Sequence, residues 1–255
     1  MRTFVVIHRG RLDLEKDLAL LGFRELRCSD NFSVWGNERE GYSHKTANYF
    51  REKSYLRVFE SCFVVKLEES EFRTEAIQLL FTELAGETYS TGIDLHRNVQ
   101  CYETLYEGAR KLSTQDFVKV LDFGCGPGTV LASKIHHQIE ELVAYDIVQE
   151  NREHSSLLGM NVLQPTEIEN LNDYLFDLII CSYVLHYQSI EPKILNKLID
   201  NLKLGGIFAA NFHKSVGLEW FLNCLESRHK LKLVKRPSSF GELVFLVKDG
   251  SDEKK

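Results

Sequence analysis

The stretch Leu121 to Thr129, LDFGCGPGT, decides how this chain is read. The residues leading into it, Phe117 to Phe123 (FVKVLDF), are apolar and β-branched, and the glycine cluster ends them. That pattern predicts a buried strand. Gly124, Gly126 and Gly128 permit positive φ and let a ligand approach the backbone closely. Thr129 to Gln138 is predicted as a short helix, whose first N–H groups lack partners within the helix.

Reading outward toward the C-terminus, strands and helices alternate. Strands are predicted at Glu141–Asp146 (ELVAYD), Asn161–Leu163, Phe176–Cys181 (FDLIIC) and Gly206–Phe212. Helices are predicted at Gln149–Leu158, Glu191–Leu204 and Leu218–Arg228. In the second of these, Ile194, Leu195, Leu198, Ile199 and Leu202 fall at helical spacing, and Gly205 and Gly206 are expected to stop it. Short apolar strands alternating with helices imply crossover connections and a parallel sheet. The end differs: Leu231–Lys235 and Leu243–Lys248 are joined by RPSSFGE, too short for a helical crossover, so that pair is expected to be antiparallel.

The first half reads as a small α+β unit. Strands are expected at Phe4–His8, Arg24–Cys28 and Phe32–Trp35, with a β-rich stretch at Tyr55–Leu67. Helices are expected at Leu12–Leu21 and Phe72–Leu84, and a βαββαβ order is conceivable. Arg97–Leu112 is predicted as a linking helix. The expected division is an accessory or substrate-recognition domain over residues 1–96 and a ligand-binding domain over 97–255.

The glycine spacing narrows the ligand. A dinucleotide fingerprint needs GxGxxG, whereas here the spacing is GxGxG and Thr129 stands where the third glycine would be. With Asp122 two places ahead, the D-x-G-x-G-x-G pattern resembles the first motif of the class I S-adenosylmethionine-dependent methyltransferases. The resemblance runs in order through ELVAYD, FDLIICSYVLHY (Phe176–Tyr187), LKLGGIFAANF (Leu202–Phe212) and the closing strand pair. It implies an α/β fold, a Rossmann-like seven-stranded sheet that is mostly parallel with an antiparallel seventh strand, and S-adenosyl-L-methionine as cofactor.

The same resemblance implies site residues. Asp146, with Ile147 beside it, ends the second strand of the motif series, where the family holds the ribose; the alternative is a loop Asp that caps the next helix. Asp122 either fixes the glycine loop or meets the cofactor ammonium, and Gly124, Cys125, Gly126 and Gly128 line the methionine portion. Cys125 is read as a small hydrophobe. Gln164, Thr166 or Glu167 is a candidate for the adenine edge, and Cys181 and Ser182 for the neighbourhood of the methyl group. On the linking helix, Tyr102 or Tyr106 is a candidate to close the pocket.

Catalytic candidates are His186, Tyr187 and His213, with Tyr183 nearby, since histidine titrates near neutrality. His186 packed inside its loop with both nitrogens satisfied is the competing reading. Family members that act on exocyclic amines or amides often carry (N/D)PP(Y/F) after the fourth strand. CSYVLHY here resembles the small-molecule branch instead. The aromatics Trp35, Tyr42, Tyr49, Phe50 and Tyr55 of the first half either line an acceptor pocket or form that unit's core.

Bulk composition excludes other classes. The 255 residues carry a net charge of -6, 44% hydrophobic and 27% charged residues, an ordinary globular balance. No dense Lys/Arg run marks a nucleic-acid footprint, so nucleic acid is not an expected partner. Six cysteines without a CxxC pair fit neither a zinc site nor a disulfide framework, and no histidine spacing suggests a metal. MRTFVVIHRGR is too short an apolar run for a signal peptide, and no stretch is long enough to span a bilayer, so a cytoplasmic protein is expected.

The leading expectation is therefore a methyltransferase acting on an O, N or C acceptor of a small molecule. A protein or RNA methyltransferase with a recognition module, or a non-catalytic cofactor-binding regulatory subunit, are the alternatives.

Overall fold

The structure, a computed structural model, describes residues 3–37, 56–59, 73–84, 94–171, 174–185, 188, 190–226 and 230–249. The chain divides into two compact units, Met1–Ile93 and Asp94–Lys255.

The first unit holds β1 (Thr3–His8), α1 (Leu12–Leu20), β2 (Arg24–Cys28), β3 (Phe32–Asn37), β4 (Leu56–Phe59) and α2 (Arg73–Leu84). Its four strands pair antiparallel in the order β2-β3-β1-β4. Alternation along β1 serves both faces of the sheet. Val5 and Ile7 pack with Leu14 and Leu18 of α1, while Val6 packs with Ala76 and Leu80 of α2. The Glu75 carboxylate accepts hydrogen bonds from Ser29 and Asn31, tying α2 to the β2–β3 turn. Among the described residues the order is βαβββα, with β4 joining the edge beside β1 before α2 begins, where βαββαβ was conceivable from the sequence. Of the β-rich stretch Tyr55–Leu67, only Leu56–Phe59 is described; Tyr42, Tyr49, Phe50 and Tyr55 lie outside the described residues. Trp35 packs against the α1 side of the core and donates its indole N–H to Ser33.

The second unit opens with α3 (Leu95–Arg110) and continues through β5 (Lys119–Phe123), β6 (Glu141–Tyr145), α4 (Gln149–Leu157), β7 (Asn161–Val162), α5 (Pro165–Glu169) and β8 (Phe176–Cys181). It closes with α6 (Pro192–Asp200), β9 (Leu202–Phe212), α7 (Leu218–Cys224), β10 (Leu231–Ser238) and β11 (Gly241–Lys248). The seven strands lie in the order β10-β11-β9-β8-β5-β6-β7. Pairings among β7, β6, β5, β8 and β9 are parallel, and β11 is antiparallel to both neighbours. The expected sheet is the observed one.

Both faces of the middle of this sheet are covered, which is why β5, β8 and β11 are largely apolar. Leu121, Phe123, Phe208, Ala210 and Val244 face the side of α6, where Leu195, Leu198 and Ile199 pack. Val120, Ile180, Ile207, Ala209 and Phe245 face α3, where Cys101, Leu105 and Ala109 pack. The buried Asp177 accepts the Val118 and Lys119 amides and pairs with Lys203, joining the starts of β5, β8 and β9.

Two local expectations are corrected. Thr129–Gln138 is not one α-helix but two 3-10 turns, Thr129–Ala132 and Lys134–Gln138. Ser133 between them is extended (φ -89°, ψ 161°) and its hydroxyl donates back to the Val130 carbonyl, which breaks the helical run. Helix α6 also ends earlier than expected. Leu202 already pairs with Phe176 as the first residue of β9. The register then jumps from Leu202 to Ile207, so the glycines form a bulge inside the strand. Gly205 takes φ +77°, and a side chain on Gly206 would sit 2.8 Å from the Lys203 carbonyl oxygen.

Gly241 is the tightest point of the β10–β11 hairpin. It takes φ +99°, and a Cβ there would collide with the Phe212 carbonyl oxygen and lie 2.8 Å from His213 Cα. Backbone strain and overpacking therefore add, and Gly241→Ala is expected to destabilise the second unit by about 2–4 kcal/mol in chemical denaturation. A loss below about 0.5 kcal/mol, the size of a neutral surface change, would show that the hairpin can shift to accept a side chain.

Candidate active site

The parallel part of the sheet has its switch point at β5. The chain proceeds outward to β6 and β7, then returns to lay β8 on the other side. A crevice forms beyond the carboxyl ends of strands at such a point. The glycine loop lies there, directly after β5.

Its shape is set by contacts with the end of β6. The amides of Gly124 and Cys125 both donate to the Tyr145 carbonyl, at 2.7 and 3.0 Å. The Gly126 amide donates to Asp146 Oδ2 at 2.8 Å. Gly124, Gly126 and Gly128 have φ of +84°, +54° and +81°, so all three use the left-handed region that glycine adopts without strain. The space where a Gly124 side chain would go is filled by Val184 from the loop after β8. At Gly128 a side chain would meet Leu158 at 3.1 Å, so this glycine serves packing against the end of α4.

Asp146 is 7% exposed and well satisfied. Besides Gly126, it accepts the Val148 amide at 2.9 Å and the Asn151 side chain at 3.2 Å on Oδ1. Three bonds leave room for about one more on a carboxylate with roughly four acceptor sites. Burial raises its pKa, and the bonds from Val148, Gly126 and Asn151 oppose that rise. Arg152 donates to the carbonyls of Asp146 and Ile147, at 2.7 and 3.0 Å. Ser155 donates to the Gly126 carbonyl at 3.2 Å. Asn151, Arg152 and Ser155 were not singled out from the sequence. They sit on one face of α4, and only their spacing after Asp146 could have signalled them.

Asp122 differs sharply. It is 1% exposed, accepts one hydrogen bond, from the Tyr102 hydroxyl at 2.9 Å, and leaves Oδ2 without a partner. Burial pushes its pKa up to about 8; the Tyr102 bond opposes this and the charge of Asp146 adds to it. An orphaned carboxylate oxygen under a glycine loop fits a cationic ligand group that would restore its missing partner. Tyr102 thus bonds the motif aspartate, whereas Tyr106 packs edge-on against Phe117 in the core.

The remaining candidates separate. Cys125 and Cys181 are buried, and burial holds both thiols well above their ordinary pKa, so neither is a thiolate. Ser182 follows Cys181 and is 7% exposed, with its side chain beside the Cys101 thiol. Gln164 caps α5 reciprocally with Glu167, so both of these polar side chains already have local partners; Thr166 is exposed. His213 follows β9, with Nδ1 buried and unpartnered; burial first, then the charges of Lys214 and Arg97, lowers its pKa. His186 and Tyr187 lie outside the described residues. Among the described residues no group of His, Cys, Asp and Glu could hold a metal, and no helix is long and apolar enough to cross a membrane.

Residues 115–232 match a family profile described as a methyltransferase domain. A ubiquinone biosynthesis O-methyltransferase of Rickettsia typhi is 35% identical over 106 residues, covering 38% of this chain and 42% of that protein. The protein of the same name from Rickettsia prowazekii is 35% identical over 97 residues, covering 35% of this chain and 38% of its own length. The chain thus spans less than half the length of these curated relatives. Among solved structures, the N-methyltransferase NodS from Bradyrhizobium japonicum WM9, in complex with S-adenosyl-L-homocysteine, is similar with a TM-score of 0.44 and 13% identity, over 71% of this chain and 96% of that one.

The profile match places a methyltransferase domain within the second unit, in line with the resemblance of its glycine loop to the class I S-adenosylmethionine-dependent methyltransferases. The cofactor of that class is S-adenosyl-L-methionine, and the donor set around Asp122 and the glycine loop fits it.

The raised pKa of Asp122 has a definite sign in stability. Between about pH 4 and about pH 8 the folded chain holds a proton on Asp122 that the unfolded chain has released, so the ligand-free fold loses stability as pH rises through that window. Denaturation midpoints of the ligand-free protein should therefore fall more steeply with pH for the wild type than for Asp122→Asn. Parallel curves would mean that Asp122 keeps ordinary acidity in the fold.

Proposed function

We propose that this chain is an S-adenosylmethionine-dependent methyltransferase that transfers a methyl group to an oxygen, nitrogen or carbon acceptor on a small molecule. The observation that carries the reading is the pair of buried carboxylates flanking the glycine loop at the switch point of the sheet. The sulfonium of the cofactor supplies an activated methyl group when bound. In this reading Asp122 receives the ammonium of the amino-acid portion on Oδ2, and Asp146 receives a ribose hydroxyl on its remaining acceptor site. Ile147 and Gln164 border the adenine, and the backbone of Gly124 to Gly126 lies along the methionine portion.

The protein's task in such a displacement is alignment and the exclusion of water. In this reading Ser182, just beyond the end of β8, borders the reacting region. His213 is held toward its neutral form, which suits it to accept a proton from a hydroxyl acceptor. His186 and Tyr187 are the other two candidates for that role. The names of the curated relatives favour an oxygen acceptor on a small molecule. Residues 1–96 are read as an accessory or acceptor-recognition domain, in a protein of the cytoplasm.

Isothermal titration with S-adenosylmethionine tests the reading. Saturable binding is expected, with Asp146→Ala weakening it by about tenfold or more, the value of a lost charge-assisted hydrogen bond. Equal affinity in the variant would remove Asp146 from the site. Absence of binding by the folded wild type would leave a partner-dependent or non-catalytic regulatory role in its place. A second signature concerns protons. A cationic ammonium on Asp122 lowers its pKa from about 8, so binding near pH 7 should release protons, seen as a dependence of the binding heat on the ionisation enthalpy of the buffer. Asp122→Asn should abolish that release.

A further inference from the structure

A second cluster of polar contacts lies at the same carboxyl edge of the sheet, and the cofactor reading does not use it. Tyr183, two residues past the end of β8, has φ +58°, a strained value for a residue with a side chain. Its amide donates to Asn211 Oδ1 at 2.7 Å, and Asn211, fully buried in β9, donates in turn to the Phe240 carbonyl at 3.1 Å. Strain recurs in the loop after β9, where Lys214 and Ser215 have φ +52° and +59°. Non-glycine residues in this conformation persist where surrounding contacts over-determine them, and they concentrate at binding sites.

Arg97, in the first turn of α3, completes the cluster. Its Nε donates to the Tyr183 hydroxyl at 3.2 Å and its Nη2 to the Ser239 carbonyl at 2.5 Å. Its guanidinium carbon lies 5.7 Å from the centroid of the Phe240 ring. These contacts hold the planar fork in one place while using two of its five N–H donors. No carboxylate among the described residues forms an ion pair with it. Asp94, whose charge acts on it, accepts the backbone amide of Arg97 as the cap of α3. Exposed Lys214 adds positive charge near the same edge, and together with Arg97 it opposes protonation of His213. The wall beside Ser182 is therefore cationic and pre-organised, with donors left over. A rigid guanidinium fork matches the geometry of an oxyanion.

We propose that Arg97 anchors an oxyanion, a carboxylate or a phosphate, carried by the methyl acceptor close to the atom that is methylated. The proposal rests on the methyltransferase reading above. It gives the acceptor a chemical class, a small anion, and gives Tyr183 and Asn211 the task of positioning the anchor.

The test is calorimetry on the full chain saturated with S-adenosylhomocysteine, titrated separately with 3,4-dihydroxybenzoate, phenyl phosphate and neutral catechol. The wild type is expected to bind one of the two anions at least about tenfold more tightly than catechol, and which one it prefers tells carboxylate from phosphate. Arg97→Ala should bring that anion to within about twofold of catechol, while Arg97→Lys, a point charge without the fork, should fall between. Affinity for S-adenosylhomocysteine should stay unchanged in both variants. Wild type that prefers neither anion, or a preference that survives in Arg97→Ala, overturns the anchor while leaving the cofactor site intact. Wild type that fails to bind S-adenosylhomocysteine overturns the methyltransferase reading itself, and this inference falls with it.

Discussion

The carboxylate of Asp146 is the tie on which the ligand-binding edge depends. It stands at the end of β6 and reaches across to the Gly126 amide in the loop after β5. The same carboxylate also orders the entry to α4 through Val148 and Asn151. A buried charge is tolerated only when its acceptor sites are matched by donors, and here three donors converge on it. Arg152 braces the adjoining carbonyls and Ser155 braces the Gly126 carbonyl from the same helix. Loop, strand end and helix therefore form one hydrogen-bonded unit, in which positive-φ glycines can keep a single conformation without a ligand.

Asp122 and Asp146 show how environment divides identical side chains between tasks. Both are buried near one another at the ends of adjacent parallel strands. Asp146 has three donors and works as scaffold. Asp122 has one, from Tyr102, and its second oxygen has none. Burial raises the pKa of both; at Asp122 the Tyr102 bond alone opposes it and the charge of Asp146 adds to it, pushing the group up to about 8. A buried carboxylate with an unpartnered oxygen responds to a cation placed beside it. The reading of Asp146 as a helix-entry residue and its reading as a ribose contact are compatible, because its bonds leave an acceptor site over.

Across the crevice the bracing is of another kind. The β10–β11 hairpin runs longer than its apolar core suggests, with Pro237 paired to Glu242 and Ser238 to Gly241. Its tip is joined to β9 by Asn211 and to α3 by Arg97. Gly241 lets the tip approach the Phe212 carbonyl, and this closeness places Phe240 under the guanidinium. A fully buried asparagine with both ends of its amide engaged supplies direction where apolar contact supplies only area.

Much of this was legible in the amino-acid order alone. Apolar alternation and the glycine triplet located β5, β6, β8 and β11, and the spacing D-x-G-x-G-x-G separated this loop from a dinucleotide-binding one. Those features are local: period and turn chemistry report which residues are buried and where the chain bends. What required tertiary structure was the choice of partners. The sequence LKLGG continues a helical pattern, yet Leu202 pairs with Phe176 and the glycines become a strand bulge, because a neighbouring strand outbids weak helical propensity. Gln164 and Glu167 look free to meet a base but cap a helix that propensity did not reveal. Tyr102 and Asp122 are 20 residues apart, Arg97 and Tyr183 86, Arg97 and Ser239 142. No periodicity encodes contacts at such separations; they exist because the assembled sheet brings the ends of α3, β5, β8 and the last hairpin to one edge.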